Sequence, residues 1–456
     1  MKLDDKTNGF ITIDDYIFSF CLDNNLLYGN YIKGKKGITS VKEKGNFSFI
    51  EAVHSGTGAI YFYNLSYHYN FFNNTLNGKC YAVFLPKLIN AKVDCFDCIS
   101  IKGRIINNIF PPSLGVEEKI DYDNFGKNGT KEIRIKPFSE KTSETDVVIF
   151  GEKIKISCTI CSPGGIGEDD TNLGKIYTSF RLYFENRILM KDLLKWINSV
   201  KKLFSFLYFR NDVTFEQVEL FNNSKYGYDK VGNVYLFDDF ENDIPQKSIN
   251  CIKFPLIKDH LNSLFNVLLN EEIQILCFPN NKKDSYIVNP EKYVFTCSTF
   301  ESLFLQYYPN FSSEDTDFIN VKQGVINYLE TEDIKYKGIN KNARRWINKI
   351  KDTIERESVN LNHKFNKCYV EFNEIIEAFK NNIKSRYNKN PDDLDLGEAF
   401  SSVRNGNAHG GNVEYNENSI IAFEFGRVFI YIMILKMAVF TKEEIIEFIR
   451  VLFISI

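Results

Sequence analysis

The run Ser402-Val403-Arg404-Asn405-Gly406-Asn407-Ala408-His409-Gly410-Gly411 sets an arginine five positions ahead of a histidine. A polar residue follows the arginine directly, and a glycine pair follows the histidine. Histidine titrates near neutrality and can take or give a proton there. Arginine stays cationic and offers a fork of donors to phosphate oxygens. Together the two groups suit cleavage of an RNA backbone by its own ribose 2′-hydroxyl. The imidazole moves the proton of the attacking 2′-OH or of the leaving 5′-oxygen, and the guanidinium stabilises the charge on a phosphorane-like transition state. This route requires no metal or other cofactor, and DNA, which lacks the 2′-OH, is not a substrate for it. One histidine serves two proton transfers poorly, so a twofold dimer pairing two motifs is the natural arrangement. The competing reading of the same residues is an ion-pairing surface Arg404 and a His409 that caps a helix.

Five residues turn an ideal helix by about 500°, which leaves Arg404 and His409 about 140° apart. They cannot share one narrow helical face. Asn405-Gly406-Asn407 is a helix-breaking run. The expectation is therefore a short helix from Leu394 to Val403 that ends at or near Arg404, with Leu396, Phe400 and Val403 facing inward. A loop would then bring His409 round to the guanidinium, with Gly410 and Gly411 leaving room for a ligand.

The surrounding pattern is helical from about residue 291 onward. Phe300, Leu303, Phe304 and Tyr307 mark one apolar stripe. Phe318, Val321, Val325 and Leu329 mark a second, and Trp346, Ile347, Ile350 and Ile354 a third. Val370, Phe372, Ile376, Phe379 and Ile383 mark a fourth. Pro391 interrupts the chain, and long helical stretches follow over 419–440 and 443–453. The most apolar run, Val428 to Phe440, contains Lys436 and is too short to span a membrane. It reads as a buried helix, available for subunit packing.

Before residue 285 the chain reads as strands. Residues 11–13, 46–50, 59–63, 80–85, 93–101, 131–136 and 153–159 are short runs rich in β-branched and aromatic residues, punctuated by Gly, Asn and Asp. Residues 111–130 and 162–174 read as loops, and a helix is expected near 190–208. The fold class expected is α+β and multidomain. A β-rich, sandwich- or barrel-like domain over 1–285 precedes an all-α bundle over 286–456.

The chain has 456 residues and a net charge of -3, which excludes a polycationic nucleic-acid binder and confines any phosphate site to a local patch. Residues 331–390 hold 14 Lys or Arg against 8 Asp or Glu, a local balance of 14 - 8 = +6. Such a segment is either an ordinary solvated face or a phosphate-tracking surface. The start of the chain, with Asp4, Asp5, Asp14 and Asp15, shows no secretory pattern, so a cytoplasmic location and mostly reduced cysteines are expected. Cys95, Cys98, Cys158 and Cys161 form two C-x2-C pairs that could hold a structural zinc, against the commoner reading of buried or free thiols. Gly164-Gly165-Ile166-Gly167 lacks a following Lys-Ser/Thr and reads as a loop. His54, His68, His260 and His363 show no partner in the sequence. The aromatic run from Tyr61 to Phe72 reads as a strand core and its edge.

Arg404-Asn405-Gly406-Asn407-Ala408-His409, late in an all-α region and ahead of a final apolar helix, resembles the signature of HEPN ribonucleases. The layout resembles the ApeA-like HEPN proteins of bacterial antiphage systems that act by abortive infection. The segment from Phe295 to Phe304 resembles the opening helix of their HEPN domain. The resemblance implies Arg404 and His409 as catalytic residues, Asn405 as the polar residue that accompanies the arginine, and Glu301 as a supporting polar residue. It also implies an RNA substrate such as tRNA or another host RNA, homodimerisation through the HEPN domain, and no membrane partner. Growth arrest would follow a phage-derived trigger sensed by the β-rich region. Two other readings stand beside it: a non-catalytic RNA- or protein-binding module on a HEPN scaffold, and a zinc-structured ligand-recognition protein.

Overall fold

The computed structural model describes residues 7–34, 42–88, 92–120, 131–161, 176–237, 250–273, 275–311, 316–356, 361–408 and 415–454. The chain forms two compact units, Met1–Leu269 with Pro279–Ser285, and Asn270–Phe278 with Tyr286–Ile456. The first is β-rich and the second helical.

The β-rich unit begins with β1 (Thr7–Ile13), β2 (Tyr16–Asp23), β3 (Leu26–Gly34), β4 (Lys44–His54), β5 (Ile60–Asn70), β6 (Thr75–Lys79), β7 (Ala82–Pro86) and β8 (Cys95–Lys102). After α1 (Arg104–Ile109) come the hairpin strands β9 (Val116–Ile120) and β10 (Lys131–Ile135), then α2 (Phe138–Lys141). It continues with β11 (Thr142–Ile149), β12 (Glu152–Cys161), β13 (Tyr177–Leu189), α3 (Leu193–Tyr208), β14 (Gln217–Ser224), β15 (Gly227–Leu236), α4 (Phe254–Ile257) and α5 (Leu261–Leu268).

The main sheet runs β11-β12-β13-β8-β14-β15-β7-β5-β4-β1-β2-β3-β6, and β6 also pairs with β5. That extra pairing closes β5, β4, β1, β2, β3 and β6 into a barrel. Strand β5 serves both parts: Tyr61–Tyr63 pair with β7, and Ser66–Asn70 pair with β6. Closure follows from strict alternation. In β1 every second residue from Thr7 to Ile13 is buried, and Ile11 and Ile13 meet Phe18, Leu27, Phe62, Leu65 and Leu76 in one core. Asp14 and Asp15, both at positive φ, form the two-residue turn between Ile13 and Tyr16. Helix α3 covers the open arm, with Phe204 at 5.3 Å from Phe180 and Trp196 at 4.8 Å from Phe184.

Each strand expected from sequence has a counterpart. Strands β2, β3, β6, β11, β13, β14 and β15 were not anticipated, and β9 corrects the loop reading of 111–130 within 116–120. The loop expected over 162–174, including Gly164–Gly167, lies outside the described residues.

The helical unit comprises α6 (Pro290–Tyr307), α7 (Thr316–Lys335), α8 (Lys341–Arg356), α9 (Leu361–Glu371), α10 (Asn373–Tyr387), α11 (Leu396–Ala408), α12 (Glu417–Met437) and α13 (Lys442–Ile449). Local chemistry sets their ends. The Asn289 side chain accepts from Lys292 N at 2.9 Å ahead of Pro290, Asn416 accepts from Ser419 N at 2.9 Å, and Thr441 and Glu444 form a capping box. Segment 270–278 is tied to α6: Leu276 N donates to Thr299 Oγ1 at 3.1 Å. Helix α12 is the central element, and every residue from Val428 to Leu435 is 0% exposed. Of the run read as available for subunit packing, Val428 to Leu435 are therefore already covered by their own chain, while Val439 is 68% exposed. Among the described residues, no helix is long and apolar enough to cross a membrane.

Two expected stripes are buried only in part: Leu329 is buried and Ile347 and Ile354 are half-buried. Trp346 is 63% exposed, Ile350 46% and Val321 66%, because α7 and α8 pack on each other and leave their outer faces open. Val370 is 75% exposed although Phe372, Ile376, Phe379 and Ile383 are buried. The break between α9 and α10 shifts the phase of the stripe.

Candidate functional site

Four phenylalanines from four helices build the platform of the site. Phe365 of α9 lies 4.9 Å from Phe400 of α11 and 5.0 Å from Phe429 of α12. Phe300 of α6 lies 5.8 Å from Phe400 and 6.1 Å from Phe365. All four are fully buried. Each of three ionisable groups sits beside one of them in sequence: Glu301 after Phe300, Lys364 before Phe365, and Arg404 one turn beyond Phe400. The aromatic packing thus fixes where the charges emerge.

Arg404 Nη2 lies 3.5 Å from Glu301 Oε2, and Lys364 Nζ lies 3.4 Å from Glu301 Oε1. One carboxylate therefore bridges two cations. The Lys364 side chain is only 3% exposed, whereas that of Arg404 is 41% exposed. Arg404 Nη1 also donates to Asn405 Oδ1 at 3.2 Å. Below this cluster, burial pushes the Cys297 thiol well up from its ordinary pKa. Glu301 adds to that rise and Arg404 opposes it. A neutral thiol beside the guanidinium leaves Glu301 as its anionic neighbour.

Helix α11 does not end near Arg404. It continues through Asn405, Gly406 and Asn407 to Ala408. Leu396, Phe400 and Val403 are buried as the pattern indicated, and the helix starts where Asp395 Oδ1 accepts from Glu398 N at 3.0 Å. The extension has a tertiary cause. Asn407 Nδ2 donates to Tyr415 Oη at 3.0 Å, and the Tyr415 ring lies 6.0 Å from Tyr293, which is buried between Phe400 and Phe423. A side-chain anchor at the last turn outweighs the weak helix propensity of Asn and Gly, about 1 kcal/mol or less per residue. His409, Gly410 and Gly411 lie outside the described residues.

The site was thus partly legible beforehand. Arg404, Asn405 and Glu301 come together, while Lys364 was missed. Its signal was a lysine on the inward stripe Leu361-Lys364-Phe365-Cys368 of an amphipathic helix, where a cation needs a partner.

The other candidates separate. Cys98 pairs with Tyr183, which pairs with Lys155. Directly paired residues in an antiparallel ladder share a face, so Cys98 lies on the face of Lys155, Ser157, Thr159 and Cys161, and Cys158 lies on the other. The two C-x2-C pairs therefore do not form one four-thiolate site. Among the described residues, no group of three or more His, Cys, Asp or Glu is placed to hold a metal ion. His54 does have a partner: its Nδ1 lies 2.8 Å from Thr57 N in the turn after β4. His68 Nε2 lies 3.3 Å from Glu43 Oε1. Tyr61, Phe62, Tyr63 and Tyr69 are buried in β5, and Phe72 beyond its end is fully exposed.

Comparisons of the chain with protein-family models, with curated proteins and with solved structures return no match.

Proposed function

We propose that the helical unit is a HEPN endoribonuclease acting in antiphage defence by abortive infection. The observation that carries this reading is the setting of Arg404. Its guanidinium is anchored by Glu301 on a rigid aromatic platform, stays 41% exposed, and lies five residues before His409. A held, solvent-facing guanidinium is what stabilisation of a pentacoordinate phosphate demands, because a preorganised donor costs no reorganisation when the charge develops. Glu301 keeps one edge of the fork, Asn405 Oδ1 takes one Nη1–H, and the other N–H groups can meet phosphate oxygens.

In the proposed reaction, His409 takes the 2′-OH proton, the 2′-oxygen attacks phosphorus, and the 5′-oxygen leaves with a proton. The products are a 2′,3′-cyclic phosphate and a 5′-hydroxyl. A twofold homodimer supplies a second imidazole for the second transfer. The substrate is tRNA or another host RNA, and the β-rich unit senses a phage-derived trigger or restrains the nuclease. No cofactor takes part.

Expression in a bacterium tests the whole reading. Wild-type protein should arrest growth or restrict phage, and His409→Ala and Arg404→Ala should each abolish that effect while accumulating as folded protein. Toxicity that survives in both variants contradicts it.

A further inference from the structure

Helix α8 turns one face to α7 and another to solvent. Residues 343, 344, 347, 351 and 354 are half-buried. Two ion pairs fasten that face: Arg344 Nε to Asp333 Oδ1 at 2.8 Å, and Lys351 Nζ to Glu330 Oε1 at 2.5 Å. The opposite ridge, at spacing i, i+3, i+4 and i+7, consists of Asn342, Arg345, Trp346 and Lys349, all exposed. Trp346 is 63% exposed, and Lys349 Nζ sits 5.2 Å from its ring centroid. From Lys341 to Lys351 the helix carries Lys341, Arg344, Arg345, Lys349 and Lys351 and no acidic residue.

We infer that this outer ridge of α8 binds single-stranded RNA, with an unpaired base stacked on Trp346 and backbone phosphates held by Arg345 and Lys349. An indole flanked by cations supplies both parts of sequence-tolerant strand binding: a flat π-face for any base and positive charge for the backbone. The choice of RNA among polyanions rests on the ribonuclease reading above. A second copy of the chain fits the ridge poorly, because a twofold contact would set Arg345 and Lys349 of one subunit against the same cations of the other. An interfacial membrane helix presents a broad apolar face, whereas here Trp346 and Ile350 stand among the exposed polar Asn342, Arg345, Asn348 and Lys349.

The test is fluorescence anisotropy of the full-length protein with a labelled 2′-O-methyl oligoribonucleotide, whose blocked 2′-oxygens prevent cleavage. Trp346→Ala should weaken binding about tenfold and Trp346→Phe should restore most of it. The double variant Arg345→Ala/Lys349→Ala should reduce the slope of log K against log salt by about 1.4. Equal affinity of Trp346→Ala and wild type overturns the inference. So does loss of a dimer on sedimentation of Trp346→Ala, or Trp346-dependent binding of anionic vesicles without binding of RNA. RNA cleavage that proceeds without any contribution from Trp346 removes this surface alone. Trp346-dependent binding by a protein that never cleaves RNA removes the nuclease reading alone.

Discussion

Glu301 Oε2 and Arg404 Nη2 lie 3.5 Å apart, joining the opening helix of the helical unit to the helix that carries the Arg-Asn motif. The same carboxylate reaches the buried Lys364, so Glu301 is the hinge of a three-charge cluster. Its role in the proposed chemistry is to position the guanidinium.

Glu301→Gln keeps the shape and removes the charge between two cations. The fold should persist with a loss of about 3 kcal/mol, because the buried Lys364 loses its counter-charge, read by thermal or urea denaturation. RNA cleavage should fall about tenfold, with kcat reduced more than KM is raised, because the guanidinium is needed most in the transition state. A rate within twofold of wild type would show that Arg404 needs no such anchor.

Gly426 of α12 faces Phe400 of α11, and a Cβ there would come 2.8 Å from the Phe400 ring. Phe400 is fully buried among the platform phenylalanines and cannot swing away. Gly426→Leu should destabilise the helical unit by about 3 kcal/mol and displace α11 with Arg404. Denaturation of the full chain, followed by a probe on each unit, would report it. A midpoint unchanged for the helical unit would contradict this packing.

In the β-rich unit, Glu219 lies 2.6 Å from Lys102 Nζ and 2.5 Å from Lys230 Nζ, with a side chain only 5% exposed. Burial raises its pKa, but the hydrogen bonds and charges of Lys102 and Lys230 outweigh burial and leave it below the ordinary value of 4.5. A carboxyl lowered in the folded state adds stability that is fully present above its unfolded pKa and is lost as pH falls through the folded value. The β-rich unit should therefore lose stability as the medium is acidified below about pH 4.5. Glu219→Gln should flatten that decline and cost about 3 kcal/mol at neutral pH by leaving charge unpaired. Denaturation midpoints of wild type and variant across pH 3 to 7, on the order of one point per half unit, would decide it. An equally steep acid decline in the variant would contradict the assignment.

What was legible in the sequence was what local periodicity controls. Leu396, Phe400 and Val403 announced the inward face of α11, and Val428 to Phe440 announced a buried helix, which holds from Val428 to Leu435. Strands with alternating or continuous apolar runs, such as β1, β5 and β12, were visible for the same reason. Strands β2 and β3 were not anticipated, although Asp14-Asp15 and Asn24-Asn25 mark the turns around β2. Barrel closure through β6 depends on pairings from Thr75–Lys79 to both β3 and β5, and no local pattern encodes them. The helix extension past Arg404 rests on Tyr415, eight residues beyond Asn407, so local propensity pointed the other way. Trp346 misled for a related reason: an amphipathic period shows that a helix has two faces, and tertiary packing decides which is covered. The convergence of Glu301, Lys364 and Arg404 is a property of four-helix packing that one sequence does not display.

The most direct test is the chemistry of the cut ends. Purified wild-type protein, incubated with tRNA in excess chelator, should yield fragments ending in 2′,3′-cyclic phosphate and 5′-hydroxyl. A substrate with a single 2′-deoxy residue at the cut site should resist, and Arg404→Ala and His409→Ala should each lower the rate by about a hundredfold or more while remaining folded. Fragments ending in 3′-hydroxyl, cleavage of the 2′-deoxy substrate, or undiminished cutting by folded His409→Ala would contradict the account.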